Sequence, residues 1–280
     1  NAKFGNKVNS IPLRWMAGRL KQRIESRKLG EEKLGFIKGS LNELTDKIIE
    51  FINNSEGSQL YTNAEISDIK LNPKDSKYKL QIKHDKKKLE SLLNVDNIIF
   101  TIDQNSTYKI LKESKLVDNL EFPNHNYFTA YCILLELNES LSNSYWTNIA
   151  DESIYFCGYI EQTNLTGKGE YGGLYLGYLT KYIFIKSNEE VLSKSELEKR
   201  TYECLMKLFP LKDIKSIVKK IHISISCKAQ VITDFDFCET DMDYLKKKNI
   251  YLGNMSNVYP DERSINNAIK VGYKLSRKIL

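Results

Sequence analysis

The sequence predicts an α+β protein in which a mixed or antiparallel sheet carries covering helices. Aromatic and β-branched residues gather in long runs through the middle of the chain, at Tyr127–Leu137, Ile154–Ile160, Leu174–Ile185 and residues 217–233. Such residues suit a pleated, half-buried surface. Apolar residues at helical spacing gather instead at residues 10–28, at 41–52, after Ser193 and after Ser264. Turn-forming clusters separate several of these runs, among them Asn53–Gly57, Asn72–Ser76 and the glycine-rich stretch 161–173.

In the first helix Trp15, Met16, Leu20 and Ile24 lie near one face, with Arg14, Arg19, Lys21, Arg23 and Arg27 elsewhere. Trp15 reads as a core residue, with a place beside Arg19 in a pocket as the alternative. A second helix opens after Gly39, a residue suited to a positive φ or to close approach. Ser40 and Glu43 have capping-box spacing, and Leu41, Leu44, Ile48 and Phe51 or Ile52 continue the apolar face. Gln59–Thr62 and Ala64–Leu71 read as strands, although Ala64, Ile66 and Ile69 alternate imperfectly in the second. Asn72–Ser76 turns the chain, Tyr78, Leu80 and Ile82 alternate on the return, and residues 96–103 hold a buried-type strand, Ile98–Ile102.

Further on, Ser193 and Glu196 form a second capping-box pattern, and the helix they start passes Leu197, Cys204, Leu205 and Leu208 to stop at Phe209–Pro210. In the strand at 217–233, Ile221, Ile223, Ile225 and Cys227 share one face and His222, Ser224 and Ser226 the other, so His222 reads as a surface or edge residue. His84 and His125 fall in polar loops with no evident partner. The stretch 161–173 reads equally as a hairpin loop or a substrate-facing loop, and it lacks the Gly-Lys-Ser/Thr of a phosphate loop.

A short apolar strand then reaches Gly253, a polar loop follows, and a helix carries the chain to its end. Asp261 or Ser264 can cap that helix. Ile265, Ala268, Ile269, Gly272, Leu275 and Ile279 fall on one face, expected to pack, while Lys274, Arg277 and Lys278 suit the negative end of the dipole. The free N–H groups of the first turn, Ser264–Asn267, suit an anion or a carbonyl oxygen.

Hydrophobic content of 41% and charged content of 28% are those of a soluble globular protein, and no integral membrane segment is expected. The net charge of +6 comes from scattered lysines, without the basic face interleaved with aromatics that a nucleic-acid surface needs, so no nucleic-acid partner is expected. The five cysteines are widely spaced and odd in number, without metal-ligand spacing. They read as buried thiols in a reducing compartment, the cytoplasm, and no metal is expected.

Several stretches carry a family resemblance. Gly253-Asn254 followed by Tyr259-Pro-Asp-Glu-Arg-Ser-Ile-Asn-Asn-Ala-Ile-Lys-Val-Gly272 resembles the closing segment of FAD-dependent oxidoreductases of the amine oxidase and protoporphyrinogen oxidase type. The glycine-led helix, the segment Asn63–Ile69 and the strand from Asp96 resemble the middle of the same family, with Ser40 where a second glycine is usual. Tyr145–Asp151, Phe156–Asn164 and Tyr171–Tyr182 resemble the substrate domain of a bacterial branch. The likeness runs from about residue 10 to the end in the family's order.

That resemblance implies FAD as cofactor and a small organic molecule as substrate. It implies flavin-mediated hydride or electron transfer, with the protein supplying positioning and electrostatics. It places Gly253 and Asn254 near the ribityl chain, Ser264, Ile265 and Asn266 at the pyrimidine edge of the flavin, and the backbone of Ile66 at adenine. Trp146, Asn148, Glu161, Gln162 and Asn164 are candidates for substrate contact or for hairpin turns, and no catalytic residue is named. Residues 36–111 with 248–280 are expected to complete the FAD-binding half, and 1–35 with 112–247 to form the substrate domain. The family's opening unit, a strand followed by a Gly-x-Gly-x-x-Gly turn and a helix that together cradle the pyrophosphate, is not found; Gly167-Lys-Gly169 and Gly172-Gly173 sit between strand-like runs and do not open a helix. The chain is therefore expected to be the C-terminal portion of a longer polypeptide whose upstream dinucleotide-binding segment is its partner. Two alternatives stand beside this reading, a non-catalytic binding module derived from the substrate domain and a redox-neutral enzyme like the galactopyranose mutases.

Overall fold

The computed structural model describes residues 9–26, 35–84, 90–117, 122–185, 190–235, 237–239 and 242–279. The chain forms two compact units, one built on Asn126–Asp234 with a short segment ending at Ile11, the other on Pro12–His125 and Phe235–Leu280.

In the second unit Pro12 precedes α1 (Leu13–Ser26), and its carbonyl accepts from Trp15 N at 3.0 Å. Of the expected apolar face, Trp15 is buried while Met16, Leu20 and Ile24 are exposed. Next comes α2 (Asn42–Asn54), which buries no residue. Its expected capping box does not form. Ser40 has a left-handed backbone, φ 89°, its hydroxyl accepts from Asn42 N at 3.2 Å, and its carbonyl instead takes Glu43 N at 3.3 Å. Gly39, at φ 81°, turns the chain just before it.

The strands β1 (Ala64–Asn72), β2 (Lys77–His84) and β3 (Glu90–Val95) form an antiparallel sheet in that order. The imperfect alternation of β1 has a physical cause, a register shift between Ile66 and Asp68 that leaves Ser67 as an extra residue, after which Ile69 is fully buried opposite Leu80. Residues 59–62 are not a strand, because they find no ladder partner among the described residues. The buried run after Asp96 is shorter than expected, β4 (Ile98–Phe100), since the Asp103 carboxylate accepts from Ser106 N at 3.0 Å and starts α3 (Gln104–Glu113).

The first unit holds β5 (Tyr127–Leu137), β6 (Trp146–Asn148), β7 (Gly158–Glu161), α4 (Thr163–Thr166), β8 (Tyr175–Ile183), α5 (Lys194–Leu208), α6 (Ile214–Ile217) and β9 (Val218–Val231). Its five strands pair in the order β6-β7-β8-β5-β9, every pair antiparallel. The stretch 161–173 is indeed a hairpin connection, with α4 folded inside it. Tyr131, Ile133, Leu135 and Leu137 alternate toward one face of β5 and pack with Leu197, Cys204 and Leu205 of α5 and Ile214 and Ile217 of α6. Ser193 caps α5 by accepting from Glu196 N at 3.2 Å, while the Glu196 carboxylate turns to Arg200.

The chain then returns to the second unit through α7 (Met242–Lys246), β10 (Ile250–Leu252) and α8 (Ile265–Ile279). β10 lies parallel to β4, Ile250 opposite Ile98. Ile69, Tyr78, Leu80, Ile82, Phe100, Leu111, Leu245 and Leu252 belong to one core. α8 packs differently from the expectation. Ile265 and Ile269 are 48% and 63% exposed, and the helix turns inward on Asn267, Val271 and Leu275, spaced one turn apart. Leu275 closes on Gly253, and Asn267 can share that buried side because its Nδ2 donates to Glu262 O at 2.7 Å. The cysteines need a like correction. All five are free, yet only Cys204 is fully buried, and Cys227, on the edge strand β9, and Cys238 are exposed. No described helix is long and apolar enough to cross a membrane.

Candidate functional site

A cleft of about 590 Å³ opens where β10 hands the chain to α8. Gly253 sets its floor. Its N–H donates to Phe100 O at 2.9 Å, and a Cβ there would stand 2.7 Å from Leu275 Cδ1, so glycine lets α8 close on the strand. Asn254 then caps the short 3₁₀ turn Met255–Val258 reciprocally: its Oδ1 accepts from Ser256 N at 2.9 Å, and its own N–H donates to Asn257 Oδ1 at 3.1 Å. Asn254 is 5% exposed, and its Nδ2 has no hydrogen-bond partner among the described residues. Ser264, not Asp261, caps α8, accepting from Asn267 N at 3.2 Å. Ile99, Val258, Ala268, Val271 and Leu275 make the walls apolar, and Arg263 and Ser264 bring polar groups to the rim.

Of the residues expected at a site, the structure brings Gly253, Asn254 and Ser264 together in this cleft. Ile265 and Asn266 follow Ser264, exposed on the first turn of α8 and outside the lining. Ile66 is 37% exposed beside the bulge of β1 and does not line the cleft. Arg19 does not line it either; it is paired with Glu262 and stacked on Trp15 at 5.5 Å.

In the sheet unit, Glu161 and Asn164 hold backbone turns, while Trp146 and Asn148 lie exposed along β6. Glu161 is fully buried; its Oε2 accepts from Leu141 N at 3.1 Å, Ser142 N at 2.8 Å and the Tyr159 hydroxyl at 2.9 Å. Burial and that carboxyl push the Tyr159 phenol well above its usual range. Asn164 Nδ2 donates to Ser142 O at 2.6 Å and Ser144 O at 3.1 Å, and Trp146 Nε1 donates to Asn148 Oδ1 at 2.9 Å.

Sequence reasoning missed His125. The ring is 5% exposed and has two partners, Cys238 O at 2.9 Å from Nε2 and Ser256 Oγ at 3.0 Å from Nδ1, with Phe237 packed against it at 4.8 Å. The Asn105 side chain holds the His125 backbone through a donated and an accepted bond, 2.8 and 3.0 Å. The partners stand more than a hundred residues away, so no local pattern announces them. Burial lowers the His125 pKa below the usual histidine range, opposed by the Cys238 carbonyl. Among the described residues no three His, Cys, Asp or Glu side chains gather as metal ligands would.

The fold is that of FAD-dependent oxidoreductases. The chain belongs to the flavin-containing amine oxidoreductase family, whose model matches residues 17–224. It is similar to a structure described as a candidate protoporphyrinogen oxidase from Exiguobacterium sp. 255-15, at 12% identity and TM-score 0.66, over 95% of this chain and 57% of that one. It is similar also to reduced UDP-galactopyranose mutase, at 13% identity and TM-score 0.65, over 95% and 60% of the two chains. An oxidoreductase from Methanosarcina mazei shares 16% identity at TM-score 0.57, over 85% and 54%. The chain thus spans little more than half the length of these structures. No curated protein matches it.

Proposed function

We propose that this chain is the C-terminal portion of an FAD-dependent oxidoreductase that acts on a small organic substrate. Its second unit would complete the FAD-binding half and its sheet unit the substrate domain. The carrying observation is the cleft at the head of α8, where a required glycine, a buried amide donor without a partner among the described residues and a helix start converge. These features fit the polar chain and ring edge of a flavin. When bound, the flavin would supply hydride or electron exchange with the substrate. The residues would bind and orient it. Gly253 lets α8 close on β10 beside the cleft, Asn254 Nδ2 offers a donor, and the N–H groups of Ile265 and Asn266 at the helix start offer positive potential to a ring oxygen. Ile66 is assigned to adenine through its backbone.

An upstream dinucleotide-binding segment is part of this reading. β4 and β10 are parallel strands of three residues each, and parallel sheets ordinarily have further strands and helices on both faces. α2 exposes Ile48, Ile49 and Phe51. Both features fit a missing neighbour of the same polypeptide. The mutase-like alternative draws on a neighbour of almost equal TM-score. It is distinguished by an isomerised rather than an oxidised substrate.

The test is the visible absorption spectrum of the complete polypeptide purified without added flavin. A two-banded flavin spectrum, lost when residues 1–280 are expressed alone, is expected. A colourless complete protein that also ignores added FAD would overturn the assignment and leave the binding module.

A further inference from the structure

We propose that His125 is a positioning residue for the cleft, acting through Ser256 to aim the side-chain amide of Asn254 at a ligand oxygen. The inference rests on the flavin reading above. The Cys238 carbonyl can only accept, so His125 Nε2 carries the proton and donates. In the neutral ring Nδ1 is then an acceptor, and the Ser256 hydroxyl 3.0 Å away donates to it. Burial keeps the ring neutral.

Ser256 passes the constraint on. Its backbone N–H, 2.9 Å from the Asn254 amide, requires an acceptor there, so Oδ1 and not Nδ2 faces the turn. With Asn257 closing the reciprocal bond to Asn254 N, the amide plane is fixed at its oxygen end. Its NH₂ is then a buried donor without a partner among the described residues, in a residue that lines the cleft. Buried donors are rarely left unpaired, and an oxygen acceptor on a bound cofactor would answer this one. His125 touches neither end of that bond; it holds the turn from which the bond is made, and it gathers residues 125, 238 and 256 from three separate stretches to do so.

The test is a double-mutant cycle in the complete polypeptide, with FAD as probe. Wild type, His125→Phe, Asn254→Ser and the double variant are compared by FAD dissociation constant and by the position of the bound flavin's visible bands. Serine keeps a capping oxygen for the turn and removes the amide donor. Each single change is expected to weaken FAD binding by about tenfold and to shift the bands, and the double variant is expected to bind no worse than Asn254→Ser. Losses that multiply would show that His125 acts independently of Asn254 and would overturn the inference alone. Wild type that fails to bind FAD would remove the functional reading, and the inference with it. If His125→Phe does not fold, Ser256→Ala takes its place in the same cycle, cutting the tie to His125 while keeping the backbone N–H.

Discussion

Three residues show how much a single buried group decides. Glu161 satisfies two backbone N–H groups and the Tyr159 hydroxyl from one carboxyl oxygen. Glu161→Ala would strand all of them, and it is expected to cost about 3 kcal/mol in urea unfolding, whereas Glu161→Gln, which keeps an accepting oxygen, costs distinctly less. Gly253→Ala places a methyl 2.7 Å from Leu275 Cδ1, with Val271 Cγ1 and Ile99 Cγ2 at 3.7 and 3.8 Å limiting the escape. Since only a side-chain end must move, a loss of about 1–2 kcal/mol is expected, together with weakened flavin binding. His125 gives the chain a pH response. In the unfolded chain it titrates in the usual histidine range; in the folded chain burial holds it lower. Between those values the unfolded state binds the extra proton, so the contribution is complete above the usual range and is lost as pH falls. The urea midpoint of wild type is expected to drop between about pH 7 and pH 5, and that of His125→Phe to drop less. Neither Glu161 nor His125 advertises this in the sequence, because their partners arrive through tertiary folding.

At the scale of elements, α8 is the clearest case. Its existence was legible and its cap was narrowed to Asp261 or Ser264, short oxygen-bearing side chains that can meet the free N–H groups of a first turn; the structure chooses Ser264. Its buried face was not legible. The apolar residues Ile265, Ala268 and Ile269 outvote Asn267 in any periodicity count, yet Leu275 closes on Gly253 and the buried side takes Asn267, whose Nδ2 is satisfied by Glu262 O. Leu275→Ala is accordingly expected to cost about 2–4 kcal/mol, and Ile269→Ser almost nothing, in thermal or urea unfolding of residues 1–280. β1 and α3 show the same limit from other sides. A bulge at Ser67 breaks a two-residue period, and Asp103 ends a strand by capping a helix that apolar spacing did not mark.

The whole molecule carries apolar surface that its own described residues leave uncovered. α2 buries nothing, and Phe51 is 73% exposed. Isolated residues 1–280 are expected to bind a hydrophobic dye and to self-associate, and the complete polypeptide to do neither, as measured by dye fluorescence and light scattering. Equal dye binding by both would count against an upstream segment that covers α2.

Strand-prone runs and helix caps followed from residue chemistry that acts over a few positions, which is why the α+β class could be read from the sequence, whereas Gly253, Asn254 and Ser264 were expected at a site through the family resemblance and share one cleft. The antiparallel order β6-β7-β8-β5-β9, the rotation of α8, the parallel pairing of β4 with β10 and the seating of His125 on Ser256 were decided only by tertiary structure. Each depends on which distant group satisfies a buried donor, acceptor or apolar face, and that is settled when the chain packs, not by the spacing of neighbouring residues.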